Sequence, residues 1–309
     1  MGRYLVQRFA DAGLPVRAVV RTHAGLPPGT EWQAANVLDL PGLLTAFENA
    51  QVVVHAAGMV SFNPRHRQAL FDTNVEGTRN VVNACLKLGV PRLIHISSVA
   101  ALGRTKEMKH VDEQSKWVAS SLNTHYGESK YKAELEVFRG MEEGLHVSIV
   151  NPSVVLAPEK SGRSSAQLFT YAAKEWPFYG EGIMNYVDVR DVAELVYQLY
   201  QQDWNGERFI ASAGAVPLFN IMSQISEKLG KKKPHLRVPA TLAASAAWAE
   251  ELRARLTGQE PLLTRQSVKI LKESVFFDNR KASEKLGITF KKLEETLDWS
   301  CAEFQRLHE

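Results

Sequence analysis

A tyrosine and a lysine stand four residues apart in Tyr126-Gly127-Glu128-Ser129-Lys130. On a helix this spacing places both on one face, a single turn apart. A phenol with an ordinary pKa of about 10 is a poor proton donor or acceptor at neutral pH, and a nearby cation favours the phenolate. Together the two can move a proton to or from a carbonyl or alcohol oxygen. The spacing alone is unspecific, since a surface helix with a snorkelling lysine also presents it.

Other candidates follow apolar runs. Leu93-Ile94-His95-Ile96-Ser97-Ser98 ends in two hydroxyls, and a serine there can hold a substrate oxygen beside the tyrosine. Paired serines are also ordinary turn residues. His55-Ala56-Ala57-Gly58 closes another apolar run with small residues that let a flat ring approach the backbone. His55 has no second His, Cys or carboxylate at metal-ligand spacing, so no metal site is expected. Asn74-Val75-Glu76-Gly77-Thr78 begins or interrupts a helix, where Asn74 can bond backbone groups or cap locally.

These residues need a scaffold, and the chain supplies alternating elements. Gly2 to Ala12 reads as an amphipathic helix stopped by Gly13, with Leu5, Val6 and Phe9 on its apolar side. Strands are expected at Val16 to Val20, Val52 to His55, Leu93 to Ser97 and Val147 to Val150. Helices are expected near Pro41 to Asn49, Gln68 to Leu88 and Tyr126 to Glu143. Val/Ile-rich strands separated by helices imply an α/β fold whose parallel sheet is covered on both faces, with ligands at the carboxyl ends of the strands. After Val150 the pattern loosens through a Pro-, Gly- and aromatic-rich stretch to Tyr186. A helix at Asp191 to Gln202, a strand at Glu207 to Ala211 and a mainly helical tail from Pro217 follow, with a short strand at Val275 to Asp278. The organisation expected is a dinucleotide-binding domain over 1–150, rejoined by 187–215, and a smaller, mainly helical substrate lobe from 151–186 and 216–309.

Composition narrows the function classes. A chain of 309 residues with 45% hydrophobic and 23% charged content can bury a sizeable core. A net charge of +3 supplies no field that would gather nucleic acid. Lys231 to Lys233 read as a solvated loop after the helix that Gly230 ends. Cys85 and Cys301 lie far apart in apolar helical patterns and read as buried thiols of a reducing, cytoplasmic compartment. No apolar stretch approaches the roughly 18 residues of a membrane span. Thr241 to Trp248 is short and reads as a packed amphipathic helix, and no signal core opens the chain.

Taken together, the chain resembles the extended short-chain dehydrogenase/reductase superfamily, also described as NAD-dependent epimerases and dehydratases. The likeness rests on Val52 to Gly58, Asn74 to Thr78, Ile96-Ser97-Ser98, Tyr126 with Ser129 and Lys130, Asn151 to Val155, and Tyr186 to Ala193. Thr257 to Thr264, Phe277 to Ala282 and Lys285-Leu286-Gly287 resemble the dihydroflavonol-reductase and 3β-hydroxysteroid-dehydrogenase branch. The resemblance implies a Rossmann-like, doubly wound parallel sheet and hydride transfer between a nicotinamide and a ketone or secondary alcohol. It makes Tyr126 the general acid/base, Lys130 its partner and a ribose ligand, Ser98 the holder of the substrate oxygen, and groups Asn74 with them. Cofactor contacts implied are Gly2, Arg21, Asn36, Val37, His55, Ala56, Ala57, Ser97, Tyr126, Lys130, Pro152, Val154 and Val155. Met59, Ser61, Phe62, Phe178 and Met184 are the substrate candidates, with Phe169 and Trp176 as further aromatics for an apolar pocket.

The second strand of such a fold meets the ribose that carries the 2′-phosphate of NADP. Here it runs Val19-Val20-Arg21-Thr22-His23, so a basic residue favours NADP(H) over NAD(H). Asn36 stands where the family usually has an aspartate; its carbonyl still accepts but without charge assistance. Nucleotide-sugar epimerases share the catalytic motifs, yet many place an arginine where this chain has Met184, which weakens that alternative. A redox-silent NADP(H)-binding protein is the remaining alternative, and intact Ser98, Tyr126 and Lys130 argue against it. The expected partner is a small-molecule substrate, without nucleic acid or stable membrane insertion, and a homodimer stays open as the assembly. In relatives a first strand and a Gly-x-x-Gly-x-x-Gly loop precede the opening helix, with Gly2 as the third glycine. The reading expected is of a record that starts about ten residues late.

Overall fold

A computed structural model describes residues 1–22, 26–159, 165–257, 264–271 and 274–308. The elements run α1 (Gly2–Asp11), β1 (Arg17–Val20), β2 (Glu31–Ala34), α2 (Leu40–Phe47), β3 (Val52–His55), α3 (Arg67–Phe71), α4 (Gly77–Leu88), β4 (Arg92–Ile96), β5 (His110–Val111) and α5 (His125–Glu142). They continue with β6 (His146–Pro152), β7 (Val154–Leu156), α6 (Ala166–Ala173), β8 (Phe178–Tyr179), β9 (Ile183–Asp188), α7 (Val189–Gln201), β10 (Glu207–Ala211) and β11 (Gly214–Pro217). The chain closes with α8 (Leu218–Lys228), β12 (Leu236–Arg237), α9 (Ala240–Thr257), α10 (Arg265–Leu271), β13 (Phe276–Phe277), α11 (Arg280–Leu286) and α12 (Leu293–His308).

Four parallel strands in the order β10-β6-β4-β3 form the central sheet. Leu93, Val147 and Ile149 face one layer, where Val81, Val82, Cys85 and Val137 of α4 and α5 cover them. Ile94, Ile96 and Val150 face the other, against Val192, Leu195, Val196 and Leu199 of α7. Covering both faces removes nearly all water from the strands, which is why they read as continuous apolar runs. On that second face α1 packs beside α7: Leu5 is buried, Phe9 meets Tyr197 and Tyr200 edge-on, and Arg8 pairs with Glu194 at 2.6 Å.

β1 pairs in parallel with β2 in a separate two-stranded sheet, and among the described residues no ladder joins β1 to β3. β2 had no counterpart in the sequence reading, because Glu31-Trp32-Gln33-Ala34 is mostly exposed and shows no apolar run. The expected helix over Gln68 to Leu88 is interrupted: a π-turn at Asp72–Glu76 separates α3 from α4. Such a turn aims one residue differently from a regular helix, and here that residue is the buried Asn74. The loose stretch after Val150 contains β7, α6, β8 and β9, and β7-β9-β11 form a three-stranded sheet of their own. Both thiols are buried and unpaired, and burial pushes each up to about 12.

Candidate functional site

α5 carries the site. Thr124 caps it by accepting the Gly127 N–H at 2.8 Å, which fixes where the helix begins. At Gly127 a Cβ would lie 2.8 Å from the Ala100 carbonyl oxygen, so the glycine lets α5 press against the 3₁₀ turn at Val99–Leu102. That approach brings Tyr126 to Ser98, the residue capping the turn. The Ser98 hydroxyl accepts the Ala100 N–H at 3.1 Å and stands near enough to the Tyr126 phenol to pull it down. The Phe62 ring stands edge-on to Tyr126 at 6.2 Å.

Lys130, one turn on, is buried and donates to the Ile96 carbonyl at 2.8 Å. Burial lowers its ammonium to about 8, against the opposing attraction of Glu134. The Tyr126 phenol departs from the sequence expectation. Burial raises it above the ordinary tyrosine range and only partly yields to the nearby Ser98 hydroxyl; the Lys130 ammonium is occupied with Ile96 rather than with the phenol. At neutral pH the Tyr126 phenol therefore carries its proton.

Asn74 is committed to the neighbouring loop. Its Oδ1 accepts Met59 N–H at 2.7 Å, and its Nδ2 donates to the Met59 carbonyl at 3.0 Å and to Ser129 Oγ at 2.9 Å. Ser129 in turn donates to the Tyr126 carbonyl at 2.8 Å. The asparagine thus fixes the Gly58-Met59 backbone against α5. His55 is buried, bonds Thr78 Oγ1 at 3.0 Å and lies 5.1 Å from the His95 ring, tilted to it by 39°. Burial beside Lys130 holds His55 down to about 3 and drives His95 well below its usual range, so both rings are neutral.

The remaining candidates divide. Ala56, Ala57, Ser97 and Pro152 sit at or just past the carboxyl ends of β3, β4 and β6, and Val154 and Val155 follow on β7. Arg21 is exposed just beyond β1, and Val37 packs within 2.7 Å of where a Cβ on Gly77 would be, at the start of α4. His23 and residues 258–263 of the tail motif lie outside the described residues. Asn36 is exposed, and its Oδ1 already accepts Leu38 N–H at 3.1 Å. Gly2 opens α1, but no atom lies within 4 Å of a Cβ built there, so close packing does not explain it among the described residues.

Of the substrate candidates, Met59 is half-buried beside Asn74 and Phe62 meets Tyr126. Ser61 Oγ bonds His66 Nδ1 at 3.0 Å. Phe178 and Trp176 are exposed, Phe178 on β8 beside β12 and Trp176 against Tyr171. Met184 packs against the cluster of Leu156 and Tyr186. Phe169 is a correction: it is fully buried against Phe304 and belongs to the core of the lobe. In the Tyr186 to Ala193 motif, Asp188 caps α7 and pairs with Arg190 at 2.6 Å, while Asp191 accepts Lys291 N–H at 2.7 Å. Asp191 thereby ties α7 to the segment before α12, while the Asp188 pair stays within the first turn of α7.

Sequence reading missed Glu134, Arg208 and His95. Glu134 lies four residues after Lys130, the spacing that had singled out the tyrosine and lysine, and that was the available signal. Among the described residues no group of three His, Cys, Asp or Glu could hold a metal ion, and no helix is long and apolar enough to cross a membrane.

The NAD dependent epimerase/dehydratase family model matches residues 1–211. A relative from Synechocystis sp. named "Putative dihydroflavonol 4-reductase" is 29% identical over 96% of this chain and 89% of its own length. The 3beta-hydroxysteroid-dehydrogenase/decarboxylase isoform 1 of Arabidopsis thaliana is 26% identical over 83% of this chain and 62% of its own. The UDP-glucose 4-epimerase of Thermotoga maritima, solved with UDP-glucose, superposes with a TM-score of 0.81 over 100% of this chain and 96% of that one, at 20% identity, a likeness of fold.

Proposed function

The chain belongs to the NAD dependent epimerase/dehydratase family, and from that premise we propose that it is an NADP(H)-dependent oxidoreductase interconverting a ketone and a secondary alcohol on a small, apolar substrate. The observation that carries this reading is the α5 stripe: Tyr126 seated by the Gly127 contact beside the turn that Ser98 caps, with Lys130 buried one turn deeper.

The residues present fit a nicotinamide cofactor. At Gly58 a Cβ would stand 3.3 Å from Asn74 Oδ1 and 3.9 Å from Lys130 Nζ, so the loop passes close to the ammonium without filling the space beyond it. Lys130 has three N–H groups and gives one to Ile96, leaving others for ribose hydroxyls. Ala56, Ala57 and the Pro152 to Val155 backbone would flank the ring, and Arg21 would meet a 2′-phosphate. When bound, the nicotinamide supplies or accepts the hydride.

The chain's own groups manage the oxygen. Ser98 holds it by a hydrogen bond, and Tyr126 donates its proton as a carbonyl is reduced or takes one as an alcohol is oxidised. Phe62 beside Tyr126 and the apolar setting of Met184 support an apolar substrate over a diphosphate, which needs cationic partners.

The test is a panel of ketones and secondary alcohols with NADPH and NADP, run on the unsubstituted protein and on Tyr126→Phe. Turnover that disappears in Tyr126→Phe, with NADPH binding by nicotinamide fluorescence retained, is expected. Turnover of a UDP- or dTDP-sugar without added cofactor would instead support an epimerase.

A further inference from the structure

The α5 stripe continues past Lys130 to a third polar residue. Glu134 is fully buried. Taking a carboxylate out of water costs several kcal/mol unless partners compensate, and apolar residues often serve stability as well or better. Its partners explain its placement. One oxygen accepts Asn151 Nδ2 at 2.6 Å, and the other lies 3.2 Å from Arg208 Nε on β10. The same Asn151 Nδ2 donates to the Ser98 carbonyl at 3.0 Å.

This arrangement dictates the amide's orientation. Turned over, Asn151 would point its oxygen at both the Glu134 carboxylate and the Ser98 carbonyl; as it stands, its Oδ1 is buried without a partner. An unsatisfied buried acceptor costs about 1–3 kcal/mol, and the carboxylate is what holds the amide this way round. The backbone after β4 is thus held at two carbonyls, Ile96 by Lys130 and Ser98 by Asn151.

We propose that Glu134, ion-paired with Arg208, is the positioning residue of the site: through Asn151 it fixes the backbone at Ser98 beside Tyr126, and across one helical turn its carboxylate acts on the Lys130 ammonium. The proposal rests on the reading of Tyr126, Lys130 and Ser98 as the reacting constellation. The groups facing Glu134 are Arg208 from β10, Asn151 from β6, Ser97 beyond β4 and Lys130 from its own helix. Those facing Lys130 are His55 from β3, His95 from β4 and Glu134. The two imidazoles are neutral, so Glu134 is the acidic side chain of this group. Burial pushes its carboxyl up, while Arg208, Ser97, Asn151 and Lys130 pull it back.

The experiment follows the Lys130 ammonium directly in full-length protein carrying 13C at lysine Cε, its signal assigned by its loss in Lys130→Met. Glu134→Gln keeps the side chain's size and an oxygen for Asn151 but removes the charge. Its Lys130 titration midpoint is expected below that of the unsubstituted protein. Arg208→Gln, which does not touch Lys130 and is partly exposed, should favour a protonated Glu134 and shift the midpoint in the same direction. It carries the test if Glu134→Gln does not fold. A Lys130 midpoint unchanged in folded Glu134→Gln, or in Arg208→Gln where that variant alone folds, overturns the proposal. Neither titration requires substrate or cofactor, and NADPH binding by the unsubstituted protein separately tests the reading beneath it.

Discussion

Two helices of equal length, α5 and α9, each 18 residues, treat polarity in opposite ways. α5 buries Ser129, Lys130 and Glu134, while α9 exposes Leu242, Trp248, Leu252 and Leu256 and buries the small Ala247 and Ala254. In α5 the buried polar side chains reach other elements: Ser129 accepts from Asn74, Lys130 donates to the Ile96 carbonyl and Glu134 accepts from Asn151. In α9 the buried Glu251 serves its own neighbourhood, accepting the Arg265 N–H at 2.9 Å. A helix that carries charge inward, against the preference of burial, marks where chemistry is held. One that leaves apolar residues outward reveals little about the reaction.

The contrast can be broken first at the contact that seats α5. Gly127→Ala places a methyl 2.8 Å from the Ala100 carbonyl, a backbone atom that cannot move aside cheaply. Chemical denaturation should show a loss of about 1–3 kcal/mol, with weaker turnover because Tyr126 is displaced from Ser98. An unchanged midpoint and unchanged turnover would mean that α5 does not need this close approach.

The second prediction uses the neutral imidazoles behind Lys130. A histidine whose folded pKa lies below its unfolded value contributes stability that is present above about pH 6.5 and lost as pH falls towards the folded value. For His55 that window runs from 6.5 down to about 3, and His95 acts in the same direction. Stability measured by urea unfolding should therefore fall on acidification, by about 1.4 kcal/mol per pH unit for each histidine that must charge. His95→Phe should flatten the slope; an acid profile identical to that of the unsubstituted protein would contradict the assignment of buried, neutral rings.

The smallest effect belongs to α9. Leu256 is 81% exposed, so Leu256→Ala should change stability by no more than about 0.5 kcal/mol and leave NADPH binding unaltered. A larger loss in thermal unfolding would show that the outer face of α9 is packed in solution and would narrow the contrast with α5.

Much of this was legible in residue order, for identifiable reasons. Strands β3, β4 and β6 are buried on both faces and so appear as continuous apolar runs, and the Tyr126-Lys130 spacing is a helical-face signal that survived folding unchanged. β2 was not legible because an exposed four-residue strand has no apolar pattern. The aromatic candidates were only partly legible: Phe169 and Phe62 are the same residue type, and what separates them is tertiary packing, Phe304 for one and Tyr126 for the other. The state of Tyr126 was misread because local spacing reports the lysine's proximity, but not that its ammonium is engaged by Ile96 and that burial dominates. Glu134 stood at a legible spacing, yet a glutamate on a helix is usually solvated, and only the sheet behind it shows otherwise.

The account's central claim is that the α5 stripe performs proton transfer on a substrate oxygen, and Tyr126→Phe tests it most directly. With a substrate identified from the carbonyl and alcohol panel, turnover should fall by roughly 10²–10⁴-fold or more, while NADPH affinity by nicotinamide fluorescence stays within about twofold because the phenolic oxygen is the only atom removed. Turnover retained at the level of the unsubstituted protein would contradict the claim.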